Sequence, residues 1–219
     1  MRIQSISLIA VFLCASVLIN SCTKKDKQSP TITVIDGDQI IQLRTSYNEP
    51  GVMAHDSEDG NVTSSIATSG NVDVNTVGSY QIEYTATDKA GNKGRAIRNI
   101  LVRHTGYSIA GNYHVKDSCG SSESQMQVFF DYATGSGVTR VLLTNFANNP
   151  NTFVYFDISG TTGSLITLPN QSVNGNPSLP GHVFSGSGEI SADGKHMLIK
   201  YTDATNGKTK TCTLIFTRL

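Results

Sequence analysis

Apolar and polar residues alternate along most of this chain with a period of two, the pattern of strands that bury one face and wet the other. In Ser79–Thr87, Tyr80, Ile82, Tyr84 and Ala86 share one face, while Gln81, Glu83, Thr85 and Thr87 share the opposite one. The pattern predicts strands at 31–35, 39–44, 52–55, 62–69, 79–87 and 95–103. It continues near 107–116, 125–132, 138–146, 153–158, 164–168, 183–190, 196–202 and 209–218. Turn formers separate these segments, among them Asp36-Gly37, Lys89-Ala90-Gly91-Asn92, Asp193-Gly194 and Asn206-Gly207, the last two being hairpin signals. No amphipathic helical period of useful length is present. The expected fold is therefore all-β: a β-sandwich over 30–104, then an eight-stranded antiparallel meander over 105–219 that curls into a small barrel or sandwich.

Two segments break the alternation. Leu8 to Ile19 is almost wholly apolar. As a helix it would rise about 18 Å, too little for a hydrocarbon core of about 30 Å, so residues 1–21 read as an export signal and not a span. The segment ends Leu18-Ile19-Asn20-Ser21-Cys22, which resembles a bacterial lipobox, with Asn20 and Ile19 departing from the usual choices. The resemblance implies that Cys22 is diacylated and becomes the new N-terminus, and two or more acyl chains anchor stably. Residues 23–29 contain no apolar side chain, so 22–29 is expected to be a lipidated cysteine followed by a flexible tether.

The first block carries a family resemblance in Tyr47-Asn48-Glu49-Pro50-Gly51, Ala54-His55-Asp56-Ser57-Glu58-Asp59-Gly60-Asn61-Val62-Thr63, Gly78-Ser79-Tyr80 and Tyr84-Thr85-Ala86-Thr87-Asp88-Lys89-Ala90-Gly91-Asn92. Together these resemble the bacterial immunoglobulin-like (Ig-like) module of hyalin repeats and insecticidal crystal toxins. The resemblance implies a spacer or adhesive unit and no particular activity. Gly78-x-Tyr80 also resembles a tyrosine corner, with Ile82 where antibody domains place a cysteine. Asp56, Glu58, Asp59 and Asp88 are candidate calcium ligands, since hard cations want converging carboxylates. The same residues also suit turns closed by side-chain-to-backbone hydrogen bonds. Arg44, Arg95, Arg98 and Arg103 read as counterions to the block's acidic excess.

In the second block, alternation turns Met126, Val128, Phe130 and Tyr132, then Met197, Ile199 and Tyr201, then Cys212, Leu214 and Phe216 inward. Once Cys14 leaves with the signal and Cys22 takes lipid, Cys119 and Cys212 remain, and in an oxidising compartment they predict a disulfide. An up-and-down barrel makes its first and last strands neighbours, bringing Cys119 within reach of Cys212. Ile109-Ala110-Gly111-Asn112-Tyr113 resembles the Gly-x-Trp opening of lipocalin-like barrels, with Tyr for Trp. A hollow barrel would hold a small apolar ligand; a filled one would use its aromatics as core.

Composition narrows the function. Lys+Arg and Asp+Glu number 17 each, so the chain offers no basic footprint for nucleic acid. It has no zinc-ligand spacing, phosphate loop or dinucleotide fingerprint, and no cofactor is expected beyond the candidate calcium. The reading is a non-catalytic protein lipid-anchored in the bacterial cell envelope, at the outer membrane, whose Ig-like block presents the C-terminal block to a ligand. The arrangement resembles the accessory lipoproteins of bacterial polysaccharide-uptake systems, a resemblance that implies a glycan as the first candidate ligand, with Tyr107, Tyr132 and Tyr155 in place of the stacking Trp this chain lacks. The alternatives are a carrier of an apolar molecule and an adhesive module that binds an envelope protein.

Overall fold

The computed structural model describes residues 25–120, 123–130, 139–146, 152–173 and 181–219. The expected Cys22 anchor and Tyr132 lie outside these residues, as does the side chain of Phe130.

The N-terminal domain is a two-sheet sandwich. Strands β1 (Thr31–Val34), β3 (Val52–Asp56) and β4 (Gly60–Asn61) form one sheet. The other runs β2 (Gln39–Gln42), β7 (Lys93–Arg103), β6 (Gly78–Thr87), β5 (Ala67–Ser69), with β2 parallel to β7 and the other pairs antiparallel. Between the sheets lie Ile82, Tyr84, Ala86, Ile100 and Val102, the inward face that alternation gives. The Tyr80 hydroxyl donates to the Thr76 carbonyl at 2.7 Å, completing the tyrosine corner.

The expected strand at 62–69 is replaced by a 3-10 turn, Thr63–Ser65, and the short β5. Local hydroxyl bonds divert the backbone there: the Ser65 hydroxyl donates to the Val62 carbonyl at 2.9 Å, and Thr63 Oγ1 accepts the Ala54 N–H at 2.9 Å.

Arg98 is not a surface counterion. It lies fully buried on the inward face of β7, donating to the carbonyls of Ile35 (2.8 Å), Gly37 (2.6 Å) and Gly51 (2.9 Å), to Glu49 (2.8 Å) and to the Tyr84 hydroxyl (3.2 Å). A guanidinium can be buried where its forked donors meet acceptors on several sides. Burial pushes Glu49 up, but bonds from Tyr47, Tyr84 and the Gly51 N–H, with the Arg98 charge, hold it below its ordinary range.

The C-terminal domain is a closed eight-stranded barrel: β8 (Gly111–Asp117), β9 (Ser124–Phe130), β10 (Arg140–Thr144), β11 (Phe153–Ser159), β12 (Leu165–Ser172), β13 (Val183–Ile190), β14 (His196–Thr205) and β15 (Lys208–Arg218). Each strand pairs antiparallel with its sequence neighbours, and β15 closes on β8 through Leu214–Asp117 to Arg218–Tyr113. The start of the expected strand at 107–116 is instead a one-turn helix, α1 (Gly106–Ile109), begun by a reciprocal cap between Thr105 and Ser108. Strand β12 runs beyond the expected 168. Its register against β13 shifts between Leu168 and Gln171, around Pro169, which has no N–H to give a ladder. The Gln171 amide stands in for the missing backbone partner, accepting the Tyr155 N–H (2.9 Å) and donating to the Tyr155 carbonyl (2.7 Å).

Cys119 and Cys212 are bonded, with Cα atoms 5.4 Å apart across 93 positions of sequence. Opening the bridge by reduction or Cys212→Ser is expected to lower unfolding free energy by about 4–5 kcal/mol on the chain-entropy account. Guanidinium titration followed by near-ultraviolet dichroism measures this, and an unchanged midpoint would show that strand pairing alone holds the closure.

Candidate functional site

Alternate connections of an up-and-down barrel lie at opposite ends. One end carries the turns 160–164 and 191–195, and there the sandwich docks. The His104 N–H donates to the Thr162 carbonyl at 2.8 Å, and the Val77 N–H to the Ala192 carbonyl at 3.0 Å. Arg44, which follows β2 with a left-handed φ of 67°, reaches across to the Ser108 carbonyl at 2.8 Å and to the Asp193 carbonyl. Arg218, at the end of β15, donates to the same Ser108 carbonyl (2.9 Å) and to Ala110 (2.8 Å). Helix carbonyls left open in a one-turn helix are thus taken by guanidiniums from both domains. Arg44 is therefore a bridge and not a counterion.

Two glycines let the backbones meet. A Cβ on Gly194, at φ +66°, would come within 3.0 Å of Leu43 and 3.1 Å of the His104 ring, and one on Gly163 within 2.7 Å of the His104 carbonyl. His104 is buried, with Nε2 on the Ser191 carbonyl at 3.1 Å and a buried Nδ1 that has no partner among the described residues.

The barrel interior is occupied by its own side chains. Phe146 meets Phe184 and Tyr201 edge-on with ring centroids 5.0 Å apart in each case, and Tyr113 meets Phe216 at 5.9 Å. Met126, Val128, Met197, Ile199, Tyr201, Cys212, Leu214 and Phe216 all point in, as alternation predicts. Tyr113 of the lipocalin-like segment is part of this core, its hydroxyl donating to the Ile109 carbonyl at 2.7 Å. The Tyr201 hydroxyl donates to Asp117 at 2.8 Å, and burial, reinforced by that carboxylate, pushes it well above its ordinary range.

The outer wall is where chemistry is exposed. Because Val154, Phe156 and Ile158 turn inward, β11 presents Phe153, Tyr155, Asp157 and Ser159 outward, and Phe153 is 54% exposed. Asp157 holds the Arg140 guanidinium with bonds of 2.6 and 2.8 Å, placing it 4.2 Å from the Tyr155 ring centre. Strand register continues this level as Asp157, Thr167, Ser187, Lys200, a row of groups that can give and accept hydrogen bonds. One level along, Ser159, Leu165, Glu189, Leu198 and Ile215 align. Between the two rows lies an open cleft of about 510 Å³ with Leu165 and Leu198 among its walls.

The sequence-predicted residues divide among several places. Tyr155 sits on this outer wall, whereas Tyr107 is on α1 at the domain junction. Phe153 was missed, although the alternation of Phe153-Val154-Tyr155-Phe156-Asp157 already turns it outward. Of the candidate calcium ligands, Asp56 and Asp88 come together, joined by Asp26. Asp59 lies outside that group: the Lys89 N–H (2.7 Å) and ammonium (3.1 Å) claim its carboxylate and lower its pKa. Glu58 lines the neighbouring cleft with Asp26.

The fold and surface define an all-β protein with an N-terminal Ig-like domain and a closed C-terminal barrel. Residues 34–102 match the family model for a bacterial surface protein, Ig-like domain. A lipoprotein from Bacteroides thetaiotaomicron is similar over 86% of this chain and 100% of its own, at 19% identity and a TM-score of 0.34. A structure of CBM51-2 and INT domains of ZmpB from Clostridium perfringens, in complex with GlcNAc, is similar over 86% of this chain and 44% of its own, at 18% identity and a TM-score of 0.31. No curated protein matches the chain.

Burial lowers the His104 pKa from its ordinary 6.5; the Ser191 carbonyl opposes this, the Arg44 charge adds to it, and Asp193 opposes it. The folded protein therefore favours the neutral ring. Its contribution is complete above the unfolded value and is lost as pH falls below 6.5 toward the lower folded value. Thermal melts of wild type and His104→Gln between pH 7.5 and pH 5 are expected to diverge, the wild type losing more; parallel curves would remove His104 from the acid response.

Proposed function

We propose that this protein is a lipid-anchored, non-catalytic display protein of the bacterial cell envelope. In this reading the Ig-like domain is a stiff spacer, Cys22 holds the acyl chains at the outer membrane, and the barrel binds a glycan on its outer wall. The filled barrel supports surface binding over carriage, since the interior that would enclose an apolar molecule is taken up by Phe146, Phe184, Tyr201 and their neighbours. That is the observation that carries the reading.

The outer wall suits a saccharide on chemical grounds. Sugar rings offer apolar C–H faces to aromatic and aliphatic side chains, and hydroxyls to polar ones. Phe153 and Tyr155 supply the first, with Leu165 and Leu198 at the cleft wall. Asp157, Thr167, Ser187, Glu189 and Lys200 supply the second. A protein partner is the second reading, favoured by the exposed Leu165, Leu198 and Ile215, which are 52%, 41% and 46% accessible.

A glycan array followed by calorimetry on wild type, Tyr155→Ala and Lys200→Ala tests the proposal. Binding of at least one glycan is expected, weakened about tenfold by each substitution, in line with roughly 1.4 kcal/mol of lost contact. Absence of any glycan binding, or binding that neither substitution alters, would sink it.

A further inference from the structure

Asp26, Asp56 and Asp88 each place one carboxylate oxygen within 4.8 Å of the other two. Two oxygens bound to one ion at about 2.4 Å, the calcium–oxygen distance, stand at most about 4.8 Å apart, so this spacing is compatible with a shared ion. Asp56 and Asp88 are buried, at 2% and 7% exposure, and Asp26 is half-buried. We infer that these three carboxylates bind a single divalent cation of the calcium class and so fasten the segment leading into the sandwich onto the Ig-like domain.

The hydrogen bonds leave the right atoms open. Asp56 Oδ1 accepts the N–H groups of Glu58 (2.9 Å) and Asp59 (3.1 Å), which fixes the carboxylate, while its Oδ2 is buried and has no partner among the described residues. Asp26 repeats the arrangement: Oδ1 takes the Gln28 N–H at 2.9 Å, and Oδ2 is buried and unpartnered among the described residues. Asp88 is held by Asn92, through the backbone N–H (2.7 Å) and the side-chain amide (2.7 Å). Two buried carboxylate oxygens without a donor, beside a third carboxylate, are costly unless a cation joins them. Lys89, next to Asp88 in sequence, is paired with Asp59.

Calcium fits better than magnesium. It accepts mixed oxygen ligands in flexible geometry, whereas magnesium demands a near-ideal octahedron and keeps its waters. A cleft of about 560 Å³, lined by Lys25, Asp26, Lys27, Gln28 and Glu58, opens beside Asp26 and has room for water ligands. Asp26 stands only four positions after Cys22 in sequence. The ion would therefore set the direction in which the sandwich leaves its N-terminal lead, a role that goes beyond the display reading and does not depend on the ligand of the barrel.

The experiment uses the protein stripped with EDTA, titrated calorimetrically with calcium chloride or magnesium chloride, and digested with trypsin, which cuts after Lys25 and Lys27. One calcium per chain is expected, bound about tenfold more tightly than magnesium and in the range of about 10⁻⁴–10⁻³ M typical of extracellular modules. Calcium should also raise the melting temperature and slow cleavage at Lys27. Asp26→Asn should weaken calcium binding about tenfold by removing one ligand charge, and should not lower the melting temperature in EDTA, since a like charge is removed there too. Asp56→Asn keeps an oxygen for the Glu58 and Asp59 N–H groups, so it should abolish the calcium response while raising the melting temperature in EDTA, where one like charge is gone. Asp59→Asn should bind as wild type does. No calcium response at millimolar concentration, or wild-type binding by both Asp26→Asn and Asp56→Asn, overturns the site whatever the barrel binds.

Discussion

One turn of helix holds the two domains of this protein together. Gly106–Ile109 is too short to satisfy its own carbonyls, and the Ser108 carbonyl is taken at once by Arg44 of the sandwich and Arg218 of the barrel's last strand. Because both guanidiniums converge on one acceptor, neither domain can turn about the connection without giving up a charge-assisted bond in a half-buried setting. His104 and the close approach at Gly163 and Gly194 press the same contact from the other side. The junction is therefore a fixed part of the fold and sets where the barrel's outer wall faces.

Each domain meets the need to close its edges in a different way. The barrel has no edge, since β15 returns to β8 and the Cys119–Cys212 bond crosses that same seam, so its core is largely apolar, with the Tyr201 hydroxyl satisfied by Asp117. The sandwich has a smaller apolar core and supplements it with Arg98, which gathers carbonyls from the loops at 35–37 and 49–51. With the barrel interior filled, the outward residues of β11 to β14 are where its polar and aromatic side chains meet solvent.

Much of this was legible because period-two alternation reports burial directly. The inward faces of β6, β9, β14 and β15 follow from it, and the disulfide follows from barrel closure once Cys119 and Cys212 are the remaining pair. What escaped was polar. Alternation places Arg98 inward between Ala96 and Ile100, but counting charges treats every arginine as solvated. Asp26 lies in a stretch without apolar residues, so alternation says nothing of a segment whose contacts with the sandwich are polar, from Asn92 to the Asp26 carbonyl and from Ser57 to Gln28. The helix α1 is too short to show a period, and Pro169 marks an end to β12 that the Gln171 amide repairs with a side chain in place of a ladder bond.

With Arg44 and Arg218 on one carbonyl, sandwich and barrel are expected to tumble as one rigid body. Residual dipolar couplings measured on the weakly aligned protein test it directly. The described amides of 31–103 and of 111–218 are expected to fit one alignment tensor, and Arg44→Ala to split them into two. Two unrelated tensors in the unmodified protein would contradict it, showing that the domains turn freely and that the shared Ser108 carbonyl does not hold them.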